Sequence, residues 1–474
     1  MPDSQASFAI VVGSGPNGLA AAVTLAQAGL PVTVYEKNRI IGGACRTEEL
    51  IRPGYLHDVG SAVHPLAIVS PFFRRLPLDE YGLKWIVPPA SLAHPFDDGT
   101  AVLLGGPVAE TASLLDDADR DRYKKLMDPL VKHWEEIVAE ALQFPHIPLR
   151  HPFVMLNFGR HALCSAAGLA RSIFTGARAR ALLTGLGVHS VMDMESPGSG
   201  AAGLVLALAA HSTGWPLPEG GSRSITGALA GYLTRLGGKI VTDYEVKSLK
   251  QLPFGGLLML DITPGQFLEM ARQELPDSYK RRLRNYRYGP GVFKVDWILD
   301  GPVPWKAVEC LTAGTVHLGG LPEEIAASEK AVWQGMPPEN PFVLLAQPTL
   351  FDRTRAAGDG HIVWAYCHVP NGSTQDMTGR IEKQIERFAP GFQDRIISRR
   401  VMSPAAFQAD NPNCVGGDIT GGTQSLKKMV CPEISWTTPL ANVFLCSSST
   451  SPGPGVHGIC GHRAAQAGLR SLRR

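Results

Sequence analysis

The chain has 474 residues, of which 44% are apolar and 19% charged, and its formal net charge is +2. That length allows two or three domain-sized cores, and that composition excludes a disordered chain. The near-neutral total gives no argument for a nucleic-acid partner, and the 51 glycines and 37 prolines follow no low-complexity period.

Phe8 to Val12 is a short apolar run suited to a buried parallel strand. Gly13, Gly15 and Gly18 follow at G-x-G-x-x-G spacing, with Ser14, Pro16 and Asn17 between them. The first glycine permits the tight turn, the second lets backbone approach a pyrophosphate, and the third lets a helix pack on the strand. Leu19 to Ala28 reads as a helix of small residues ended by Gly29, and its N-terminal amides suit a diphosphate. Pro31 to Glu36 is the next strand. Glu36, 18 residues beyond Gly18, stands where an acid accepts from ribose hydroxyls. Strand, glycines, helix, strand and acid in this order predict a dinucleotide site. Lys37 follows, then Gly42-Gly43-Ala44 and Arg46-Thr47. Paired glycines bring amides to a cofactor, and an Arg adds charge-assisted bonds. This segment resembles the second FAD fingerprint of the glutathione-reductase-type flavoproteins.

The His57 to Pro65 stretch is polar and contains glycine; Leu83–Val87 and Thr100–Leu104 read as strands. Asp117 to Leu142 has apolar residues at helical spacing, and His161–Phe174 and Ala177–Leu186 are further helices. Gly198, Gly200 and Gly203 repeat the fingerprint spacing without a preceding strand or a following acid, and read as a loop before a helix at Leu204–Ala210. A helix at Ile225–Leu236, a strand at Lys239–Thr242 and another at Leu257–Pro264 return to the nucleotide fold. Val292 to Ile298 alternates, with Lys294 and Asp296 on one face; Phe342–Ala346 and His361–Tyr366 read as neighbours in a sheet. Met377–Phe388 is an amphipathic helix, and Val443–Cys446 is the last strand. Ser449 to Gly458 is a glycine-rich turn before a final helix.

The order of these motifs resembles the phytoene-desaturase-like FAD oxidoreductases. The resemblance implies an α/β fold in which a Rossmann-like FAD domain, residues 1–70, 211–265 and 411–474, is interleaved with a mixed-sheet and helical substrate domain, residues 71–210 and 266–410. It implies that Gly13, Gly15, Pro16, Asn17, Gly18, Glu36, Lys37, Gly42, Gly43, Ala44 and Arg46 bind FAD. It places Val246 where a backbone faces the adenine, and Ser449, Thr450, Gly455, Val456 and His457 beside the pyrophosphate and flavin ring. It implies hydride transfer between FAD and a C–C or C–N bond of a largely apolar small substrate. Flavin amine oxidase and a FAD-bound interaction protein without turnover are the alternatives. With only one complete fingerprint, NAD(P)H is not expected as a tight partner.

His457, inside the FAD segment, and His64 are the candidate catalytic groups. An apolar cavity is expected between residues 117–210 and the strands at Val292, Phe342 and His361. The eight cysteines form no C-x-x-C pair, which argues against a redox dithiol or zinc ribbon and for reduced thiols; no metal site is read. The early first strand leaves no room for a signal peptide, so a cytoplasmic location is expected. No apolar stretch approaches the roughly 20 residues of a membrane span. Peripheral membrane contact stays open, with Phe72-Phe73-Arg74-Arg75 as one candidate patch. The basic-aromatic run Tyr279 to Tyr288 reads as a solvated helix end, not a nucleic-acid surface.

Overall fold

A computed structural model describes residues 8–143, 150–253 and 255–473; residues 1–7 of the first expected FAD-binding segment lie outside them. Two sheets organise the chain. The first has five strands in the order Val443–Leu445, Leu257–Leu260, Ala9–Val12, Val32–Tyr35 and Lys239–Val241. All neighbours are parallel. Ala9 and Val11 pack with the fingerprint helix Pro16–Gln27, whereas Ile10 and Val12 join a second cluster with Leu260 and Phe267. Both faces are thus buried, which is why these strands read as continuous apolar runs.

The second sheet has seven strands: Ile396–Met402, Gly291–Leu299, His361–Val369, Val343–Ala346, Ala313–Leu318, Ala90–Pro95 and Ala101–Leu104. Its pairs are antiparallel except Ala313–Leu318 with Ala90–Pro95. The predicted pairing of the strands at 342 and 361 is present. Phe293, Val295, Trp297, Val343, Leu345, Val363 and Ala365 form one face and pack against Ile381, Ile385 and Phe388 of the helix Thr378–Phe388. Alternation puts Lys294, Asp296, Trp364, Tyr366 and His368 on the other, inner face, where the register sets Lys294 opposite Tyr366 and Asp296 opposite Trp364. His317 and His94 continue that face across the next strands.

Several expectations change. The helix at 117–142 is two, Asp117–Val131 and Trp134–Ala141, with the break close after Pro129. Gly200 and Gly203 are not in a loop: the helix begins at Ser199. Only Gly198 (φ 88°) caps it, while a Cβ on Gly203 would lie 3.0 Å from the Gly187 amide, so these glycines serve helix–helix contact. Phe72 and Phe73 are buried and offer no membrane patch. The exposed apolar side chains on the helix Pro152–Ala162 are Phe153 and Leu156. Arg281, Arg282 and Arg284 are solvated, as expected, while Tyr286 is buried. Among the described residues no helix is long and apolar enough to cross a membrane.

Candidate cofactor and substrate site

The two ends of the chain meet backbone to backbone. A Cβ on Gly18 would lie 2.0 Å from the Gly13 carbonyl oxygen, so the fingerprint helix can pack only with glycine there. A Cβ on Gly43 would lie 3.2 Å from the Gly15 Cα, which brings the second fingerprint against the first. The C-terminal helix Ile459–Ser471 crosses the fingerprint helix at Gly461, where a Cβ would lie 1.8 Å from the Asn17 carbonyl oxygen. Asn17 Oδ1, at the start of the fingerprint helix, is buried and has no hydrogen-bond partner. A glycine cradle at a helix N-terminus, where the free backbone amides are donors, fits a diphosphate.

Glu36 couples the two fingerprints. Its carboxylate accepts from the Ser14 amide (3.0 Å), the Ser14 hydroxyl (2.6 Å) and the Asn38 amide (2.8 Å). The Ser14 hydroxyl in turn accepts from the Gly42 amide at 3.1 Å. Beside Glu36, the Tyr244 amide donates to the Glu36 carbonyl, and Val246 is buried in an irregular segment, not a strand. Lys37 reaches the Ala409 carbonyl (3.3 Å). Pro16 opens the fingerprint helix, and Ala44 is exposed. Arg46 is committed to protein: it grips both oxygens of Asp410 at 2.7 and 2.6 Å and lies 3.0 Å from Glu48.

Asp261 was not selected from the sequence. It follows the apolar strand Leu257–Leu260, and its carboxylate accepts from the Gly18 amide at 3.0 Å. Gly15, the N-cap residue, has no side chain to offer, so Asp261 caps the fingerprint helix from another strand. Burial, against that amide bond and together with nearby Glu36, pushes its pKa up to about 7. An acid closing a strand of the same sheet was the available signal.

In the C-terminal segment, Ser449 Oγ donates to the Gly421 carbonyl (2.7 Å) and Thr450 Oγ1 to the Ser447 carbonyl (2.8 Å). Gly455 (φ 132°) sits against Leu66, and Val456 packs on the core. His457 Nδ1 accepts from the Ile459 amide at 3.0 Å, and the Gly453 carbonyl also bonds the ring. Burial takes its pKa down to about 4. The ring closes its own turn at the head of the C-terminal helix, which leaves no free nitrogen to move a substrate proton. The catalytic expectation for His457 is corrected on that ground.

His64 is differently placed. Its Nε2 lies 2.8 Å from Ser222 Oγ, whose own proton goes to the Ser61 carbonyl, so His64 Nε2 is the donor. His64 Nδ1 is buried, bare and without a partner, and burial lowers the ring to about 4. Next to it lies an ionic cluster the sequence reading named only as two charges on one strand face. Lys294 donates to both oxygens of Asp296 (2.7 and 2.6 Å) and to the Asp58 carbonyl (2.9 Å). Asp58 accepts from Thr47, the Ser222 amide and Arg355. Burial alone would raise Asp58 and Asp296; Arg355 holds the first below the ordinary carboxylate range, and Lys294 the second. His57 Nδ1 is 3.5 Å from Asp296, an ion-pair distance too long for a good hydrogen bond.

The inner sheet face mixes polar and apolar groups: Lys294, Asp296, Trp364, Tyr366, His368, His317 and His94 share it with Leu344 and Leu92, and His368 Nδ1 lies 2.7 Å from Glu329. Two clefts, of about 390 and 530 Å³, lie elsewhere, around Ile40 and Arg223 beside the second fingerprint.

Residues 11–76 match the family model for the NAD(P)-binding Rossmann-like domain. Pyridine nucleotide-disulfide oxidoreductase domain-containing protein 2 of Rattus norvegicus is 24% identical over 98% of this chain and 94% of its own length. A phytoene desaturase of Fusarium fujikuroi is 26% identical over 51% of this chain and 43% of its own. Cyclohexylamine oxidase from Brevibacterium oxydans superposes with a TM-score of 0.62 at 14% identity, covering 99% of this chain and all of that one. The fold is that of this solved oxidase, and over its full length the chain is similar in sequence to the first of these relatives.

Proposed function

We propose that the chain is a FAD-dependent oxidoreductase that removes a hydride from a C–C or C–N bond of a substrate bound over the inner face of the seven-stranded sheet. The observation that carries this reading is the backbone contact of the first fingerprint with both Gly43 and Gly461, which builds one cradle from three distant segments. Gly13 to Gly18 would hold the diphosphate, Glu36 the ribose, and Gly42 to Ala44 with Gly455 to His457 the flavin side. Bound FAD supplies the hydride acceptor; the chain supplies orientation and electrostatics. His64 is the group fitted to receive a proton, because its Nδ1 is bare and its ring stays neutral at pH 7. Lys294, locked between Asp296 and the Asp58 carbonyl, holds positive charge under the same face.

A second reading, amine oxidation, draws support from Trp364 and Tyr366, whose rings lie 5.7 Å apart and 16° from parallel on the inner face. Such a pair can frame an amine. The test is anaerobic incubation of the purified chain with apolar secondary amines and with partly saturated polyenes. Bleaching of the flavin absorbance by either set supports the reading and chooses between its forms. Prompt stoichiometric bleaching by NADPH, with no response to either set, contradicts it.

A further inference from the structure

The helix Ala177–Gly187 turns Gly185 toward the inner sheet face. A Cβ at Gly185 would lie 3.4 Å from His317 Nδ1, 3.4 Å from the Phe342 ring and 3.7 Å from His94 Nδ1. Both of these Nδ1 atoms are buried and have no hydrogen-bond partner. Two unpaired ring nitrogens therefore converge on Gly185, a helical position that lacks a side chain. Leaving such groups dry is costly, so the notch over Gly185 is built to receive a polar atom.

The tautomers say which kind. His94 Nε2 lies 2.9 Å from the Gly320 carbonyl, which can only accept, so Nε2 carries the proton and Nδ1 is an acceptor. His317 Nε2 lies 3.0 Å from His189 Nε2, so one of these two nitrogens donates to the other. When His189 donates, the proton of His317 sits on Nδ1. The notch then offers one acceptor and one donor side by side, which a hydroxyl uses together; when His317 donates instead, both Nδ1 atoms accept, and a hydroxyl still donates to His94 Nδ1. A carboxylate would face the bare lone pair of His94, and an ammonium would meet rings that burial keeps neutral at His94, His189 and His317. His189 and Tyr366 are only half-buried, so the cluster reaches accessible surface on their side.

We propose that His94 and His317, over Gly185, form a recognition site for a hydroxyl group on an otherwise apolar substrate. The inference rests on the reading of the inner sheet face as the substrate side of the oxidoreductase. It adds to the apolar cavity expected there a site that selects an alcohol function.

Gly185→Ala tests it without disturbing the fold, because the new methyl would meet its neighbours at ordinary contact distances in a helix. The flavin-bound full chain is titrated near neutral pH with 1-hexanol, hexanoate and hexylamine. Binding is read by tryptophan fluorescence, since the Trp215 ring lies 5.8 Å from His189 and 6.3 Å from His317. Hexanol should bind at least about tenfold more tightly than either charged probe, and Gly185→Ala should lose about tenfold for hexanol alone, with flavin content and Tm kept. His94→Leu, read the same way, is the second variant. Equal or tighter binding of a charged probe, binding of none of the three, or hexanol binding untouched by both variants would overturn the site. Flavin content is measured separately: a colourless chain that still selects hexanol keeps this site and removes the flavin reading.

Discussion

The two sheets solve opposite problems. Around the five-stranded sheet, contact is made by backbone: Gly13, Gly15, Gly18, Gly43 and Gly461 are absences of side chain that let three segments touch. On the inner face of the seven-stranded sheet, contact is made by charged and ionisable side chains held out of water, with Lys294 and Asp296 almost wholly buried. The first arrangement depends on volume and tolerates no added atom. The second depends on charge balance and tolerates no removed partner. Under the proposed function, that division leaves a cofactor to be held by amides and a substrate to be selected by side chains.

The comparison breaks most sharply at Lys294. Lys294→Met leaves Asp296 buried without its cation, and should destabilise the fold by about 3–5 kcal/mol. The double variant Lys294→Met/Asp296→Leu should recover most of that loss in a urea titration. A single variant as stable as the parent would show that the inner-face charges are not paired as described. On the other sheet, Gly461→Ala should cost about 1–3 kcal/mol by overpacking against Asn17 and should release the flavin. Full flavin content in that variant would show that the two ends need not touch.

What was legible follows the same division. The fingerprint, the acid at Glu36 and the paired glycines are local in sequence, so the backbone half was readable at residue level. The inner face was not. Lys294, Asp58 and Arg355 are brought together across more than two hundred residues, and only the charges inside the apolar run Val292–Ile298 hinted at them. Three strands of the seven-stranded sheet escaped the sequence reading. Ile396–Met402 is an edge strand whose Arg399 and Arg400 are exposed and hide the pattern. Ala90–Pro95 and Ala313–Leu318 mix small residues with His94 and His317, because their inner face is polar. His457 was misread because a histidine beside a cofactor motif can equally serve the turn that forms the motif.

Titration sharpens the comparison with opposite slopes. Asp261 is raised from 3.8 to about 7, so its contribution to stability is greatest below pH 3.8 and is lost as pH rises to 7. Asp261→Asn keeps an acceptor for the Gly18 amide. It should gain up to about 4 kcal/mol over the parent above pH 7 and nothing near pH 4, as a rise of roughly three pKa units is worth about 1.4 kcal/mol per unit. His64, His94 and His457 are lowered from 6.5 to about 4, so their contribution is full above pH 6.5 and is lost as pH falls to 4. Denaturation midpoints across this range should separate the two trends. A parent and Asp261→Asn with parallel profiles would show that Asp261 is not protonated at neutrality. The smallest effect belongs to the exposed pair Arg171–Glu195, where Arg171→Ala should change stability by less than about 1 kcal/mol, again read in urea.

The central claim is that the chain's ends close one site around FAD. It is tested most directly by identifying and counting the cofactor released from the purified chain by acid or heat. The account predicts FAD, non-covalently held, approaching one per chain after reconstitution. FMN, a covalent adduct, or a chain that takes up no flavin would contradict it.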